Sequence, residues 1–147
     1  MEKIRVMVVG LLGDMATLFA NHIEKTEDMK LVPFTLSEET GRIQIGQTAI
    51  WQIVLDWHES RLKEIAPDII VDFTFGSPLD RNVRLYCRCG IPFVVGVVPD
   101  TSDSLIIKEV KKSNISAVVA PGRVGVTLKA ARFLADRKGK KGAVFYM

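Results

Sequence analysis

The sequence predicts an α/β domain with a doubly wound, mainly parallel sheet and helices on both faces. Short apolar runs rich in Val and Ile alternate with segments of helical periodicity along the chain, which is the pattern of successive βαβ units. The chain has 147 residues, 48% of them hydrophobic and 25% charged, a size and composition typical of one compact domain. We therefore expect residues 1–147 to form a single domain.

Each element has a local signal. Apolar, β-branched runs predict strands at residues 3–10, 30–36, 68–73, 92–98, 116–121 and 142–147, with a strand or hairpin at 41–53. Pro33 marks the second strand as irregular or near an edge. Helical spacing predicts helices that begin near residues 15, 57, 79, 102 and 124. In the first helix, Met15, Leu18, Phe19, His22 and Ile23 share the face that we expect to be buried.

Composition argues against several classes of protein. No apolar run approaches the roughly 18–20 residues of a membrane span, and the start of the chain does not resemble a secretory signal. The net charge of +3 is mild, and the late basic cluster, which includes Arg137 and Lys138, has no interleaved aromatic residues typical of nucleic-acid binding. Cys87 and Cys89 complete no zinc pattern. We expect a cytoplasmic protein with no metal site, no membrane contact and no nucleic-acid partner.

The stretch "VVGLLGDMA" carries the first functional signal. Gly10 and Gly13 follow an apolar strand and precede a helix, where glycine lets backbone N–H groups approach phosphate oxygens at the positive end of the helix. Ala16 stands where the usual fingerprint has its third glycine. This context predicts a Rossmann-type fold, although a tight turn without a ligand would have the same sequence.

Four longer stretches resemble the nucleotide-binding domain of the dihydrodipicolinate reductases. They are "IRVMVVGLLGDMA", "VPFTLSEETG", "IIVDFTFGSPLDRNVRLYCRCGIPFVVGVV" and "AVVAPGRVGV", and they are most similar to the plant-type branch. The resemblance implies an NAD(P)-binding-type domain of a reductase-like protein in lysine and diaminopimelate biosynthesis. In that family, a His-His-x-x-Lys run and a Gly-Thr loop lie in a C-terminal catalytic and tetramerisation domain. This chain has neither motif, so we expect that domain to be absent and assign no catalytic residue.

The same resemblance implies which residues would hold a cofactor. The phosphates would lie along the glycine turn, the adenosine ribose near an acidic residue after the second strand, and the nicotinamide near the central strand. Thr74, after "VDF", would face the same crevice. The predicted cofactor-binding residues are Gly10, Leu12, Gly13, Asp14, Met15, Glu38, Thr74, Gly96 and Val97. Glu38 favours NAD over NADP because a 2′-phosphate would be repelled, although "SEET" also fits an ordinary polar turn.

Three departures from the family pattern argue against tight binding. Asp14 stands where the family has Arg or Lys, Val97-Val98 replaces two threonines, and Gly122 replaces Asn or Gln. An anion at Asp14 would oppose a phosphate, and we expect Asp14 to cap the helix and so use the N–H groups that a phosphate would need. We therefore expect binding of NAD or NADP to be weak or lost.

Two hypotheses remain open from the sequence. In the first, the chain is the cofactor half of a dihydrodipicolinate reductase-like protein and is not catalytically competent alone. In the second, it is a repurposed single-domain binding or assembly protein that has lost dinucleotide binding. In either case, the last strand offers an apolar edge, so we expect a homo-oligomer or a partner chain there.

Overall fold

A computed structural model describes residues 2–54, 58–137 and 142–147. The strands are β1 (Ile4–Val9), β2 (Met29–Leu31), β3 (Phe34–Ser37), β4 (Gly41–Ile45), β5 (Thr48–Val54), β6 (Ile69–Asp72), β7 (Phe93–Val95), β8 (Ala117–Val119) and β9 (Val144–Tyr146). The helices are α1 (Asp14–Lys25), α2 (His58–Ile65), α3 (Ser77–Cys89), α4 (Asp103–Lys111) and α5 (Val124–Asp136), with a 3-10 turn at Asp100–Ser102. Trp57 and Lys138, which the sequence placed in a helix and a basic cluster, lie outside the described residues.

The main sheet has six strands in the order β2-β1-β6-β7-β8-β9, and all of its described pairings are parallel. The α/β prediction is therefore confirmed. The chain moves from β1 to β2 on one side and then returns past β1 to β6 on the other. Such a reversal of direction is a topological switch point, and ligands bind outside the carboxyl ends of the strands at that point. Here it lies between β1 and β6.

The predicted strand at 30–36 was wrong as a single element. Val32 donates its N–H to Val6, which ends the pairing of this segment with β1. Pro33 has no N–H to continue the ladder, and its carbonyl instead accepts from Trp51. The chain thus passes into a second sheet of three strands, ordered β3-β5-β4. The predicted hairpin at 41–53 is confirmed as the antiparallel pair β4 and β5.

Alternating side chains of the main sheet form a core on each face. Val6 and Val8 of β1 pack in a cluster with residues of α1 and α5, whereas Met7 and Val9 pack with residues of α2, α3 and α4. The predicted face of α1 was partly wrong. Its buried residues are Ala16, Phe19, Ala20 and Ile23, so Met15, Leu18 and His22 lie on the exposed side. The small side chains of Ala16 and Ala20 let α1 approach the sheet closely. The sequence prediction instead assigned the larger apolar residues to the buried face.

The end of the main sheet is β9, which pairs with β8 alone among the strands that the structure describes. Tyr146 of this strand is 57% exposed, and its hydroxyl donates to Asp103 over 2.9 Å. The last strand is therefore an edge strand, as the sequence predicted. Among the described residues, no helix combines the length and apolar character needed to cross a membrane.

Candidate functional site

The carboxyl ends of β1 and β6 lie side by side at the switch point. Val9 and Asp72 are register partners, so the loops that follow them, at Gly10 and Phe73, are held close together. A crevice of about 290 Å³ opens beside these loops. It is lined by Val9, Gly10, Leu11, Leu36, Ser37, Glu38, Thr74, Pro78, Arg81 and Asn82. Of the predicted site residues, the structure brings Gly10, Glu38 and Thr74 together here.

Gly10 is required by both its backbone conformation and its surroundings. Its φ is +96°, and a Cβ atom there would lie 3.2 Å from the carbonyl carbon of Phe73 and 3.4 Å from the nitrogen of Thr74. A side chain at this position would be strained and would push the two loops apart. The turn closes when Gly13 donates its N–H to the carbonyl of Gly10 over 3.1 Å. Glycine therefore allows β1 and β6 to deliver their loops to one crevice.

The first turn of α1 follows this glycine turn and presents free donors. The N-cap is Gly13, and the N–H of Thr17 donates to the carbonyl of Gly13. The preceding N–H groups of the first turn have no acceptor within the helix. Leu12 stands before them with φ of +85° and 74% of its surface exposed. A leucine in this left-handed region is strained, and such a strained turn beside a helix N-terminus is typical of ligand-binding loops.

The expectation that Asp14 caps the helix was wrong. Asp14 is the first residue of α1 and not its cap, because Gly13 occupies the cap position. Within the described part of the chain, the exposed Asp14 carboxylate accepts no hydrogen bond from the first turn. It therefore complements the helix dipole without using the free N–H groups. The donors that an anion needs are still available, although a like charge stands beside them.

An ion pair that the sequence did not predict crosses the mouth of the crevice. Arg81 of α3 donates from Nη2 to Oε1 of Glu38 over 3.3 Å. The Glu38 side chain is 70% exposed and that of Arg81 is 45% exposed, so water screens the pair and its contribution to stability is small. Its effect is on the site, because it places a hydrogen-bond acceptor, the Glu38 carboxylate, beside a donor, the Arg81 guanidinium group, at the rim of the crevice.

Beneath the crevice lies a buried carboxylate. Asp72 ends β6 with none of its surface exposed, and it accepts hydrogen bonds from Thr74 N (2.7 Å), Thr74 Oγ1 (2.5 Å), Asn82 Nδ2 (3.1 Å) and Tyr86 Oη (2.6 Å). Burial raises the pKa of Asp72, and the hydrogen bonds from Thr74, Tyr86 and Asn82 offset part of this rise. Burial also raises the pKa of Tyr86, as does the adjacent Asp72. The network fixes the loop after β6 to the buried face of α3.

This network changes the interpretation of Thr74. The residue lines the crevice, as expected, but its backbone N–H and its hydroxyl both donate to Asp72. Its contribution to the crevice is therefore the position of the loop rather than a free hydroxyl. Phe75, the next residue, is 74% exposed.

Gly96 and Val97 do not line the same crevice. Gly96 is buried at the end of β7 and donates its N–H to the carbonyl of Asp72 over 2.8 Å. A Cβ atom on Gly96 would lie 2.5 Å from the ring of Phe73, so glycine is needed there for packing. Val97 is partly buried against the core, whereas Val98 is 69% exposed. These residues stand farther along the carboxyl edge, after β7.

Sequence reasoning missed Arg81, Asn82 and Asp72. Arg81 and Asn82 belong to a helix more than forty residues after Glu38, and helical periodicity assigns no polar residue to a neighbouring loop. Asp72 did have a signal: a carboxylate that ends the otherwise apolar run "IIVD" is expected to be buried with its own hydrogen-bond donors. Two of those donors, Asn82 and Tyr86, come from α3.

A family model described as "Dihydrodipicolinate reductase, N-terminus" matches residues 4–123. The chain belongs to this family. It is 32% identical over 149 aligned residues to the 4-hydroxy-tetrahydrodipicolinate reductase of Methanocaldococcus jannaschii, which covers 92% of this chain and 54% of that protein. A probable chloroplastic reductase of rice is 33% identical over 100 residues, covering 63% of this chain and 29% of that protein. Because archaeal and plant reductases both match, the plant-type branch stays a prediction.

Solved structures show the same fold. The dipicolinate-bound dihydrodipicolinate reductase from Paenisporosarcina sp. TG-14 superposes with a TM-score of 0.61 at 21% identity, over 82% of this chain and 48% of that one. The structure named RSP in complex with β-NADH superposes with a TM-score of 0.53 at 16% identity, over 71% of this chain and 57% of that one. The chain spans about half the length of the curated reductases that it matches. It corresponds to the N-terminal, NAD(P)-binding-type domain of the dihydrodipicolinate reductase family.

Proposed function

We propose that this chain binds a nicotinamide dinucleotide as the cofactor half of a 4-hydroxy-tetrahydrodipicolinate reductase-like protein, and that it is not catalytically competent alone. We also propose that residues 1–147 form a single domain. The observation that carries it is the crevice at the switch point, where Gly10, Glu38 and Thr74 meet beside the free N–H groups of α1. A dinucleotide needs both features in this relation: an anion site at a helix N-terminus and an acceptor for ribose hydroxyls.

The diphosphate would lie against the glycine turn. It would contact the backbone of the turn and of the first turn of α1, at Gly10, Leu12, Gly13 and Met15. Asp14 would place an opposing charge beside it. At about 5 Å and an effective dielectric constant of about 20, the repulsion would be roughly 3 kcal/mol. Asp14 is exposed, so screening by water reduces this to about 1 kcal/mol. Binding is therefore weakened but not abolished.

The adenosine ribose would lie at Glu38, and NAD is favoured over NADP. The Glu38 carboxylate can accept both ribose hydroxyls, whereas a 2′-phosphate would bring a second anion to it. Arg81, already 3.3 Å from Glu38, would offset part of that repulsion. We therefore expect a preference of about tenfold for NADH over NADPH, equivalent to about 1.4 kcal/mol.

The nicotinamide end would reach Gly96 and Val97, after β7. Both residues lie on the carboxyl edge outside the described crevice, which serves the adenosine end. Hydride transfer would require groups that the family carries in its C-terminal domain, and this chain has no His-His-x-x-Lys run. The β9 edge is where a second copy or a partner chain would dock. We infer a cytoplasmic protein with no nucleic-acid partner.

Calorimetric titration of NADH and NADPH tests this function. Wild-type protein should bind NADH with a Kd of roughly 10–500 μM and NADPH about tenfold more weakly. Glu38→Gln should reduce that preference, and Arg81→Ala should increase it. Glu27→Gln, which alters an exposed glutamate between α1 and β2, is the matched control and should change neither affinity.

The repurposed scaffold is the second candidate, and Asp14 is the observation that favours it. A carboxylate that serves no cap stands beside the N–H groups, where a phosphate would be opposed. No saturable binding of either dinucleotide up to about 1 mM, with the protein shown to be folded by circular dichroism, would support this candidate and refute the first.

A further inference from the structure

Four side chains cross one face of the three-stranded sheet in a line. Arg42 of β4 is the register partner of Trp51 in β5, which is in turn the partner of Phe34 in β3. Adjacent strands lie about 4.8 Å apart and register partners point to the same face, so these side chains stand next to one another. Arg61 of α2 completes the line, with its guanidinium carbon 5.4 Å from the centre of the Phe34 ring. We call these four residues the arginine–aromatic row.

Both arginines in the row lie against aromatic rings. The guanidinium carbon of Arg42 is 5.7 Å from the centre of the Trp51 ring, within the range of cation–π contact. A cation–π contact does not use the N–H groups of the guanidinium for a hydrogen bond with the ring. Both guanidinium groups of the row therefore lie beside aromatic rings and keep N–H donors that can pair with an anion.

Neither arginine is committed to a strong carboxylate partner. Within the described residues Arg42 has no ion pair, and Arg61 has a contact of 3.8 Å with Glu64, whose side chain is 70% exposed. Such an exposed pair contributes little and exchanges readily with water. Among the residues that the structure describes, the row thus carries two positive charges beside two large aromatic rings, with one long, exposed ion pair to offset them.

The row borders a cleft of about 810 Å³, compared with about 290 Å³ for the crevice at the switch point. Phe34, Trp51, Ile53 and Val54 give it mainly apolar walls, and Arg61 is its charged lining residue. Trp51 is 51% exposed at this surface. Small-molecule sites are typically clefts of about 300–1,000 Å³ with apolar walls and a few polar groups. These dimensions fit a small ligand better than the broad surface of a protein partner.

We propose that this cleft binds a small aromatic carboxylate. The ring of the ligand would pack among Trp51, Phe34 and the aliphatic wall, and its carboxylate would pair with the guanidinium group of Arg61, which lines the cleft. Each part of the ligand corresponds to a feature of the cleft: a flat apolar body to the aromatic walls, and an anion to the Arg61 guanidinium group, whose ion pair with Glu64 is long and exposed.

This site is separate from the proposed dinucleotide crevice. The residues that line the two cavities do not overlap, although β3 contributes to both. Phe34 is the first residue of β3, and Glu38 follows the last residue of that strand. A ligand in the cleft therefore need not compete with NADH, and the proposal does not depend on dinucleotide binding.

Calorimetric titration with 1-naphthoate, and with neutral 1-naphthamide as its matched ligand, tests the proposal. We expect naphthoate to bind about tenfold more tightly than the amide, since only the carboxylate can form an ion pair with Arg61. Arg61→Ala should weaken naphthoate binding about fivefold to tenfold, whereas Arg42→Ala, which changes a residue outside the cleft lining, should weaken it much less. Trp51→Ala should weaken both ligands. Arg84→Ala, which changes a half-exposed arginine of α3, is the control and should have no effect.

Three results would overturn the proposal. The first is the absence of saturable naphthoate binding up to about 1 mM in protein with a wild-type thermal transition. The second is equal affinity for acid and amide, or displacement of naphthoate by NADH, which would place the ligand elsewhere. The third is a dimer seen by light scattering that Trp51→Ala converts to a monomer, which would assign the row to a second copy of the chain.

Discussion

Removing the acceptor at Asp72 should be among the most destabilising single changes in this domain. In Asp72→Leu, the side chain keeps its branched arrangement of heavy atoms, but the buried Asn82 amide and Tyr86 hydroxyl lose the partner they contact at 3.1 and 2.6 Å. An unsatisfied buried donor costs about 1–3 kcal/mol. Two such donors, together with the released Thr74, predict a loss of about 3–5 kcal/mol in the free energy of unfolding.

Urea denaturation followed by far-ultraviolet circular dichroism measures this loss. Tyr86→Phe provides a milder variant that remains folded: it removes one donor from the carboxylate and should cost about 1–2 kcal/mol. Asp136→Asn, an exposed change at the end of α5, is the surface control and should stay within about 0.5 kcal/mol of wild type. Because Asp72 and Tyr86 share one hydrogen bond, the double variant should cost less than the sum of the single changes. An Asp72→Leu variant within about 1 kcal/mol of wild type would refute the reasoning.

The same residue should make stability depend on pH. Burial raises the pKa of Asp72 above its ordinary 3.8, so the folded protein takes up this proton more readily than the unfolded chain. The resulting stabilisation is complete below the unfolded pKa and is lost as the pH rises through the folded pKa. The advantage of wild type over Asp72→Leu should therefore be larger near about pH 4 than near about pH 7. An advantage that grows as the pH rises would contradict this assignment.

Two further substitutions and one alkylation experiment have specific expected outcomes. Asp14→Arg should tighten NADH binding about tenfold by calorimetry, because an exposed repulsion of about 1 kcal/mol becomes an attraction; unchanged affinity would place the diphosphate elsewhere. Gly96→Ala should lower the free energy of unfolding by about 1–3 kcal/mol, since its Cβ would lie 2.5 Å from the buried Phe73 ring. Gly125→Ala, with open space at its Cβ, is the control and should not destabilise the domain. Burial raises the pKa of Cys87 to about 11, so its alkylation by iodoacetamide near about pH 8 should be much slower than that of a free thiol; equal rates would contradict that burial.

The sequence contained enough to predict the sheet and the glycine turn, because both depend on local patterns. Apolar runs and helical spacing repeat along the chain, and Gly10 is needed at a turn that has a local signature. The break at Pro33 was visible only as an irregularity. Whether a strand with a proline bends or passes to another sheet depends on what lies beside it, and here β5 provides the second sheet.

The candidate site was predictable only in part, for a physical reason. Glu38 and the glycine turn lie next to recognisable strands, whereas Arg81 reaches the crevice from the surface of α3, and no local pattern specifies which helix packs over which loop. For Asp14, the sequence suggested a role that the structure does not show. Its position in sequence fits a cap, but the turn places Gly13 at that position and leaves the Asp14 carboxylate in solvent. Tertiary geometry decided both cases.

A crystal of this chain soaked in NADH tests the central claim most directly. We predict electron density for the diphosphate against the first-turn N–H groups of α1 beside Gly13, for the adenosine ribose at Glu38, and for an Asp14 side chain directed into solvent. Soaking at about 5 mM exceeds the expected Kd by at least about tenfold. An empty crevice under those conditions, or a dinucleotide bound away from the glycine turn, would contradict the account.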